Sequence, residues 1–129
     1  MNTVYSTEHF SEKELKCKCG QCDYPGMDAD FMEKLEMLRN TVNKPLPLSS
    51  AYRCPDHNDS VSSTGRTGPH TTRKAVDIRC SGNLSHAVLA EAGIQGFSGL
   101  GIQQKGAHGG RYIHIDTLSE GLRPWVWSY

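Results

Sequence analysis

An apolar stripe at helical spacing is the clearest pattern in the chain. Its members are Phe31, Leu35, Leu38 and Val42. Residues at these intervals share one face of a helix. Asp28 is placed to cap the start of this helix, and Asn43-Lys44-Pro45 ends it, because the residue before a proline avoids helical geometry. The stripe holds no polar residue, so we predict a helix with a structural role.

Start and stop signals predict two further helices. Ser11-Glu12-Lys13-Glu14 is a capping box, in which serine and the last glutamate bond each other's backbone amides. It predicts a short helix that starts after Ser11 and stops near Cys17. The other helix begins at Asn83 or Ser85 and is closed by Gly93, since glycine tolerates the left-handed conformation common after a helix.

Most other apolar residues lie in short runs typical of strands. Pro47 lacks a backbone donor, so the first run is expected at a sheet edge. Gly99 and Gly101 indicate that another part of the chain approaches the third run closely. The predicted strands are Leu46–Arg53, Lys74–Arg79, Gly99–Ile102 and Tyr112–Asp116.

Turn-forming residues separate these elements. Pro55-Asp56-His57-Asn58 predicts a turn, Ser60 to Gly68 a flexible loop, and Gly106 to Gly110 a glycine-rich turn. Helices and strands are mixed in a chain of 129 residues, a length typical of one domain. We therefore predict a single small α+β domain over residues 1–129.

Charge and hydropathy limit the possible partners. Lys and Arg number 14, Asp and Glu also number 14, and the signs are interspersed, so there is no basic footprint for nucleic acid or an anionic membrane. No stretch approaches the roughly 18 apolar residues of a membrane span. Residues 1–8 lack the basic and apolar regions of a secretory signal. We expect a protein made in the cytoplasm and not embedded in a membrane.

Two short segments concentrate the candidate chemistry. His70 lies on a loop leading into the strand that carries Asp77, and His114 lies on the strand Tyr112–Asp116. In that strand, alternation sends His114 and Asp116 to one face and two isoleucines to the core. Two neutral imidazoles and a carboxylate suit a catalytic zinc ion with one open position. We predict that His70, Asp77 and His114 bind one zinc ion.

Hydrolysis at such a site also needs a proton acceptor and a partner for the oxyanion. Asp116 is the first candidate for the base, because it shares a strand face with His114. His108, on the preceding turn, is the second. Arg53, at the end of the first strand, is placed to stabilise an oxyanion or bind a substrate carboxylate.

The five cysteines leave two questions open. Cys17, Cys19 and Cys22 form a close cluster, and a zinc knuckle built on them needs a fourth ligand, with His9 or Asp23 as candidates. We favour the alternative of buried, weakly paired cysteines around a tight turn at Gly20. Cys54 and Cys80 are candidates for a disulfide in an oxidising compartment, although sequence alone does not show whether they are close enough.

Four sequence blocks identify a resemblance. They are Ser50–Asn58, His70 with Ala75–Ile78, Gly99–Ile102, and Ile113–Thr117. In these blocks the chain resembles the zinc D-alanyl-D-alanine carboxypeptidase superfamily, which includes phage L-alanyl-D-glutamate endolysins and related murein endopeptidases. The entry Phe10–Cys17 and the ending Arg123-Pro124-Trp125 are also similar to its small members.

This resemblance implies an antiparallel sheet that carries the metal, flanked by helices and long loops. It implies zinc on His70, Asp77 and His114, the same residues that the spacing favours, and Arg53 acting on the substrate.

The chain departs from the family pattern at two places. Gly68 and Arg73 stand where the family usually has serine and glycine. Arg111 and Tyr112 stand where better-known members carry the general base, and neither is a convincing base at neutral pH. The resemblance therefore supports the zinc ligands more firmly than it supports any base.

The expected function is zinc-dependent hydrolysis of the stem peptide of peptidoglycan. The resemblance favours an L-alanyl-D-glutamate endopeptidase, because compact single-domain relatives without a signal are typically endolysins, with a D-alanyl-D-alanine carboxypeptidase or DD-endopeptidase as the alternative. A non-catalytic zinc-binding module and a cysteine hydrolase using the Cys17 cluster are rivals of other classes. We expect a monomer that a holin or another export system releases to the periplasm or cell wall. Trp125 or Trp127 lies at the rim of the cleft or packs the tail onto the core.

Overall fold

A mixed five-stranded sheet is the scaffold of the computed structural model, which describes residues 2–129. The strand order is β3-β4-β6-β5-β7, and every pair is antiparallel except β5–β7, which is parallel. The α+β prediction is confirmed, and the three central strands form the expected antiparallel sheet. The strands are β3 (Leu48–Ser50), β4 (Ala75–Arg79), β5 (Gly99–Gln103), β6 (Tyr112–Asp116) and β7 (Trp125–Ser128).

Four α-helices accompany this sheet in the described part of the chain: α1 (Glu12–Leu15), α2 (Ala29–Val42), α3 (Pro55–Val61) and α4 (Gly82–Ile94). Short 3-10 helices cover Gly65–Thr67, Pro69–Thr72 and His108–Gly110. A second, two-stranded sheet pairs β1 (Thr3–Val4) with β2 (Met27–Asp28). No helix among residues 2–129 combines the length and apolar character needed to cross a bilayer.

The capping signals are confirmed. Ser11 accepts a bond from the amide of Glu14, and the Glu14 side chain accepts one from the amide of Ser11. Asp28 caps α2 by accepting from the amide of Phe31 at 2.9 Å. Asn43 closes α2 in the left-handed conformation, at φ 57°. Short polar side chains at these positions replace the hydrogen bonds that helix ends lack.

The apolar faces meet where the prediction placed them. Phe31, Leu35 and Leu38 of α2 are buried, as are Ile113 and Ile115 of β6. Each such side chain contributes roughly 1.5–3 kcal/mol by leaving water. Residues from the N-terminal segment to β6 share this core.

Several predicted boundaries are wrong. The turn predicted at Pro55–Asn58 is the first part of α3, and only Leu48–Ser50 of the run 46–53 pairs as a strand. The predicted loop 60–68 contains the end of α3 and a 3-10 helix. Buried Asn58 organises this segment, because its side-chain amide donates to Thr64 and to the carbonyl of Gly65.

The other long helix also differs from its prediction at both ends. It begins at Gly82 and runs through Ile94, so Gly93 lies inside α4. Gly96, two residues beyond the helix, adopts the left-handed conformation at φ 83°. The prediction assigned the stop signal to the wrong glycine.

Candidate metal centre and cleft

The register of the central strands brings the predicted ligands together. Asp77 on β4 lies directly opposite His114 on β6. His70 approaches from the 3-10 helix Pro69–Thr72, which immediately precedes β4. All three side chains are buried. The sheet therefore assembles one group from residues that are far apart in sequence.

The three side chains converge on a common point. Asp77 Oδ1 lies 3.2 Å from His70 Nε2 and 3.1 Å from His114 Nδ1. The chosen ligand atoms all lie within 4.8 Å of one another. A tetrahedral zinc ion with ligand distances of about 2.0–2.1 Å separates its ligand atoms by about 3.3 Å. The spacing of these three residues fits such an ion.

Hydrogen bonds on the far sides of the two rings define which nitrogens are free. His70 Nδ1–H donates to the carbonyl of Ala51 at 2.7 Å, so Nε2 presents a lone pair to Asp77. His114 Nε2–H donates to Asp116 at 2.8 Å, so the Nδ1 atom of His114 also presents a lone pair to Asp77. Three acceptors that face each other repel unless a cation lies between them. The donor set therefore suits zinc.

The electrostatics of the site also favour a positive charge. A proton on either facing nitrogen can take the place of that cation. Burial alone would raise the pKa of Asp77, but the resulting hydrogen bonds from His114 and His70 outweigh burial and hold this pKa well below its usual range. Burial alone would lower the pKa of His114, yet hydrogen bonds with Asp116 and Asp77 raise it. Both pKa shifts have the same cause: a positive charge next to a buried carboxylate is favourable at this site.

Asp116 lies behind His114 and not in the cleft. Its carboxylate is fully buried, accepts from His114, and receives two bonds from Arg123, at 3.1 Å from Nε and 2.7 Å from Nη2. Burial would raise the pKa of Asp116, but the bonds from His114 and Arg123 lower it to about 2. These contacts favour a role in orienting His114 over the predicted role as general base.

Arg53 lies beside the three predicted ligands. Its Nη2 atom is 3.6 Å from Asp77 Oδ2. Two neighbours fix the rest of the guanidinium, since Nε donates to Ser50 and Nη1 donates to Asn58. The side chain is largely buried but still lines the cleft. This placement fits the predicted contact with an anionic group of the substrate.

A cleft of about 670 Å³ opens over the site. Trp127 forms part of its wall, with its ring centroid 5.1 Å from that of His114, and the guanidinium of Arg123 lies over the indole ring at 5.1 Å. Trp125 and Trp127 both line the cleft, which is the first of the two positions predicted for them. The other side chains that line it include Ser62, Thr64, Pro69, Tyr112 and Tyr129.

The glycines of β5 make room for this arrangement. A Cβ atom at Gly99 would collide with the carboxylate of Asp116, and one at Gly101 would lie 2.7 Å from the indole of Trp127. The close approach predicted for this strand is confirmed. Neither residue has a positive φ, so backbone conformation does not explain these glycines. They are needed because a side chain has no space here.

His108 lies outside the cleft. It is exposed on the 3-10 helix His108–Gly110, and its Nδ1 is 3.3 Å from the hydroxyl of Ser81. Among the side chains of residues 2–129 that line the cleft, Asp77 supplies the only carboxylate. Neither residue predicted as a general base therefore lines the cleft.

The two departures near His70 have local explanations. Side chains of Thr64 and Asn58 occupy the space that a Cβ at Gly68 would need. Arg73 adopts the left-handed conformation at φ 68°, which glycine accepts more readily. Its guanidinium donates to Thr3, and its carbonyl accepts from the amide of Asp28. The turn is held by the N-terminal segment, and Arg73 does not line the cleft.

The clustered cysteines lie around the predicted turn at Gly20, where φ is 69°, but their group has a member that the sequence did not indicate. Cys17, Cys19 and Cys22 form a group with Cys54, and neither His9 nor Asp23 belongs to it. None of the five cysteines is in a disulfide, so no bond joins Cys54 and Cys80. The fourth member was missed because a distant segment supplies it. His9 is instead bound to Glu36 at 2.7 Å.

Sequence reasoning also missed three groups that support the site. The carbonyl of Ala51 fixes His70, Arg123 pairs with Asp116, and Trp127 packs on His114. The Ala51 contact is made by a backbone carbonyl, which every residue type has, so the sequence does not indicate it. Arg123 and Trp127 depend on the way the tail returns to the sheet as β7.

The α+β fold and a buried His-Asp-His centre at the base of a cleft define a metal-dependent hydrolase as the class of protein that fits best. A family model described as Peptidase M15 matches residues 8–116. The match covers most of the chain, so this protein belongs to the M15 peptidase family. At the level of that family, it is a zinc-dependent hydrolase, a peptidase that acts on peptidoglycan. No curated protein matches the sequence significantly.

Proposed function

We propose that this chain is a zinc peptidase that hydrolyses the L-alanyl–D-glutamate bond in peptidoglycan stem peptides. The observation that carries the proposal is the convergence of His70 Nε2, Asp77 Oδ1 and His114 Nδ1 beneath an open cleft. These atoms would hold the metal. When bound, zinc supplies a Lewis acid that activates water and polarises the scissile carbonyl.

The protein's own residues bind and orient. Arg53 offers a fixed cation beside Asp77, and a guanidinium held in this way suits a carboxylate. The stem peptide provides one next to this bond, because its D-glutamate is linked through the side chain and keeps a free α-carboxylate. Arg53 would bind that group and so place the neighbouring amide over the metal centre.

Asp116 acts as a positioning residue in this proposal. By accepting the Nε2 proton of His114, it fixes the tautomer that offers Nδ1 to the metal. Arg123 keeps the carboxylate ionised and in place. Trp127 packs against the ring of His114, at a centroid distance of 5.1 Å.

The position of Arg53 in the cleft is also compatible with a second substrate. A terminal D-alanyl-D-alanine carries a carboxylate next to its scissile bond, so a DD-carboxypeptidase would use Arg53 in the same way. A DD-endopeptidase is the related alternative. The reaction products distinguish these activities from one another, whereas the position of Arg53 does not.

A zinc-binding module without turnover is the candidate of another class. One observation favours it: in the described chain, no carboxylate besides Asp77 lines the cleft to take a proton from water. The cysteine hydrolase has less support, because the Cys17 cluster does not line the cleft. Release by a holin, action in the periplasm or wall, and a monomeric state remain expectations.

Digestion of purified murein tests the proposal. Labelling of new amino groups followed by mass spectrometry should show a new N-terminus on D-glutamate. Labelled diaminopimelate would indicate DD-endopeptidase activity, and free D-alanine would indicate carboxypeptidase activity. Chelator and His114→Ala should abolish the reaction, whereas His86→Ala, which changes an exposed histidine of α4, should not. Zinc binding at full occupancy without any fragment would support the non-catalytic module.

A further inference from the structure

A second cluster of metal-ligand side chains lies outside the active-site cleft. Cys17, Cys19 and Cys22 follow α1, and Cys54 immediately precedes α3. One sulfur from each lies within 4.8 Å of the others. None of the four belongs to the His-Asp-His centre, so the two groups share no ligand.

The spacing of the sulfur atoms fits a metal ion and not disulfides. Cys54 Sγ is 3.8 Å from Cys17 Sγ and 3.9 Å from Cys19 Sγ. A tetrahedral zinc ion with Zn–S bonds of about 2.3 Å separates its sulfur ligands by about 3.8 Å. A disulfide needs about 2.05 Å. The measured distances therefore agree with the edges of a tetrathiolate zinc site.

Backbone amides point at the sulfur atoms. Cys19 Sγ accepts from the amide of Gln21, Cys17 Sγ from that of Cys54, and Cys54 Sγ from that of His57, each at 3.4 Å. Amide donors stabilise thiolates, which are the form that binds zinc. The positive φ of Gly20, 69°, turns the chain between Cys19 and Gln21 so that this contact forms.

The cluster includes the end of a segment on which the active site depends. Cys54 follows Arg53, and the amide of Arg53 donates to the carbonyl of His70. The amide of Tyr52 bonds to Leu15 of α1, and the carbonyl of Ala51 fixes the ring of His70. A link between Cys54 and the loop after α1 would therefore anchor residues 51–54 at a point next to Arg53.

We propose that Cys17, Cys19, Cys22 and Cys54 bind a structural zinc ion, separate from the catalytic one, that joins the N-terminal loop to the segment carrying Arg53. Four thiolates complete a tetrahedron and leave no position for water, so this ion has no part in hydrolysis. The inference stands independently of the peptidase activity.

Metal content tests this proposal. Protein purified under reducing conditions and equilibrated with zinc should hold two ions per chain after gel filtration. His114→Ala should hold one, Cys22→Ser should hold one, and Cys80→Ser, which alters a buried cysteine outside the cluster, should hold two. A folded Cys22→Ser protein that retains two ions would overturn the assignment.

Cobalt spectroscopy answers the question even if Cys22→Ser does not fold. Cobalt bound to His114→Ala should show intense thiolate-to-metal charge-transfer absorption in the near ultraviolet, because only the cysteine site remains intact. Absence of tightly bound cobalt in this folded variant, or binding without thiolate absorption, would contradict the proposal. Loss of catalysis in His114→Ala does not affect this readout, so the proposals for the two metal sites are tested independently of each other.

Discussion

Individual groups behind the two histidines hold the candidate ligands in place. His70 and His114 each use one ring nitrogen for a fixed acceptor, and the other faces Asp77. Sequence alone predicted these three side chains as ligands, because residue type, spacing and strand alternation indicate them. It did not supply Ala51, whose contribution is a backbone carbonyl.

The contacts of Asp116 lead to a prediction that separates positioning from base catalysis. Asp116→Asn removes the charge that holds His114 and Arg123. Zinc affinity should fall about 10–100-fold. The stability of the fold should fall by up to about 3 kcal/mol, because Arg123 loses its buried partner.

Activity measured across zinc concentrations and pH checks the role of Asp116. For a positioning residue, saturating zinc should restore most of kcat, and the pH profile of kcat should keep its shape. If kcat stays low at full zinc occupancy and its acidic limb disappears, Asp116 is the base.

At the scale of elements, β5 matters for the space it leaves. Gly99→Ala should push the Asp116 carboxylate away from His114, since a Cβ has no room there. We expect a loss of roughly 1–3 kcal/mol from overpacking, together with weaker zinc binding. Gly93→Ala is the matched control, because nothing lies within 4 Å of its Cβ position inside α4.

Thermal unfolding and zinc titration of both variants measure this effect. The control should gain up to about 1 kcal/mol, since alanine is the better helix former. Equal zinc affinity in Gly99→Ala and the wild type would show that the β5 backbone does not constrain Asp116.

The carboxylate of Glu36 on α2 binds the N-terminal segment, so the stability of the fold should depend on pH. Glu36 accepts from the Thr7 hydroxyl at 2.6 Å and from the amide of His9 at 2.8 Å. Burial raises the pKa of Glu36, but the bonds from Thr7 and His9 outweigh it and lower the pKa. A lowered folded pKa stabilises the protein above the unfolded value, about 4.3. That stabilisation is lost as the pH falls through the folded value.

Glu36→Gln should therefore be less stable than the wild type by roughly 1–3 kcal/mol at neutral pH. The difference should shrink as the pH falls below about 4. Denaturant unfolding over this range measures it, and Glu33→Gln, at an exposed position of the same helix, is the control. A difference that stays constant from neutral to acidic pH would rule out the carboxylate as the cause.

The elements differ in how far their sequence revealed them. The caps of α1 and α2 are local signals and were predicted. Helix α3 was missed because its sequence is rich in turn-forming residues. In the structure, Pro55 occupies its first turn and Cys54 caps it through sulfur. The parallel pairing of β7 with β5 leaves no local trace, since tertiary contacts select it.

At the scale of the whole molecule, the sheet register determines the site. Asp77 faces Ser50 on one side and His114 on the other, and His114 faces Gly101 beyond. A slip of one residue would turn Asp77 or His114 to the opposite face of the sheet. The family motifs are therefore spaced along the chain as the pairing of three strands requires, and local patterns alone do not reveal that pairing.

The proposed activity requires that His70, Asp77 and His114 together bind a zinc ion at the base of the cleft. An anomalous difference map, recorded at the zinc absorption edge from a crystal of the zinc-loaded protein, tests it most directly. We expect a peak within bonding distance of His70 Nε2, His114 Nδ1 and the carboxylate of Asp77. A map from the folded, zinc-loaded protein without a peak at that position would contradict it.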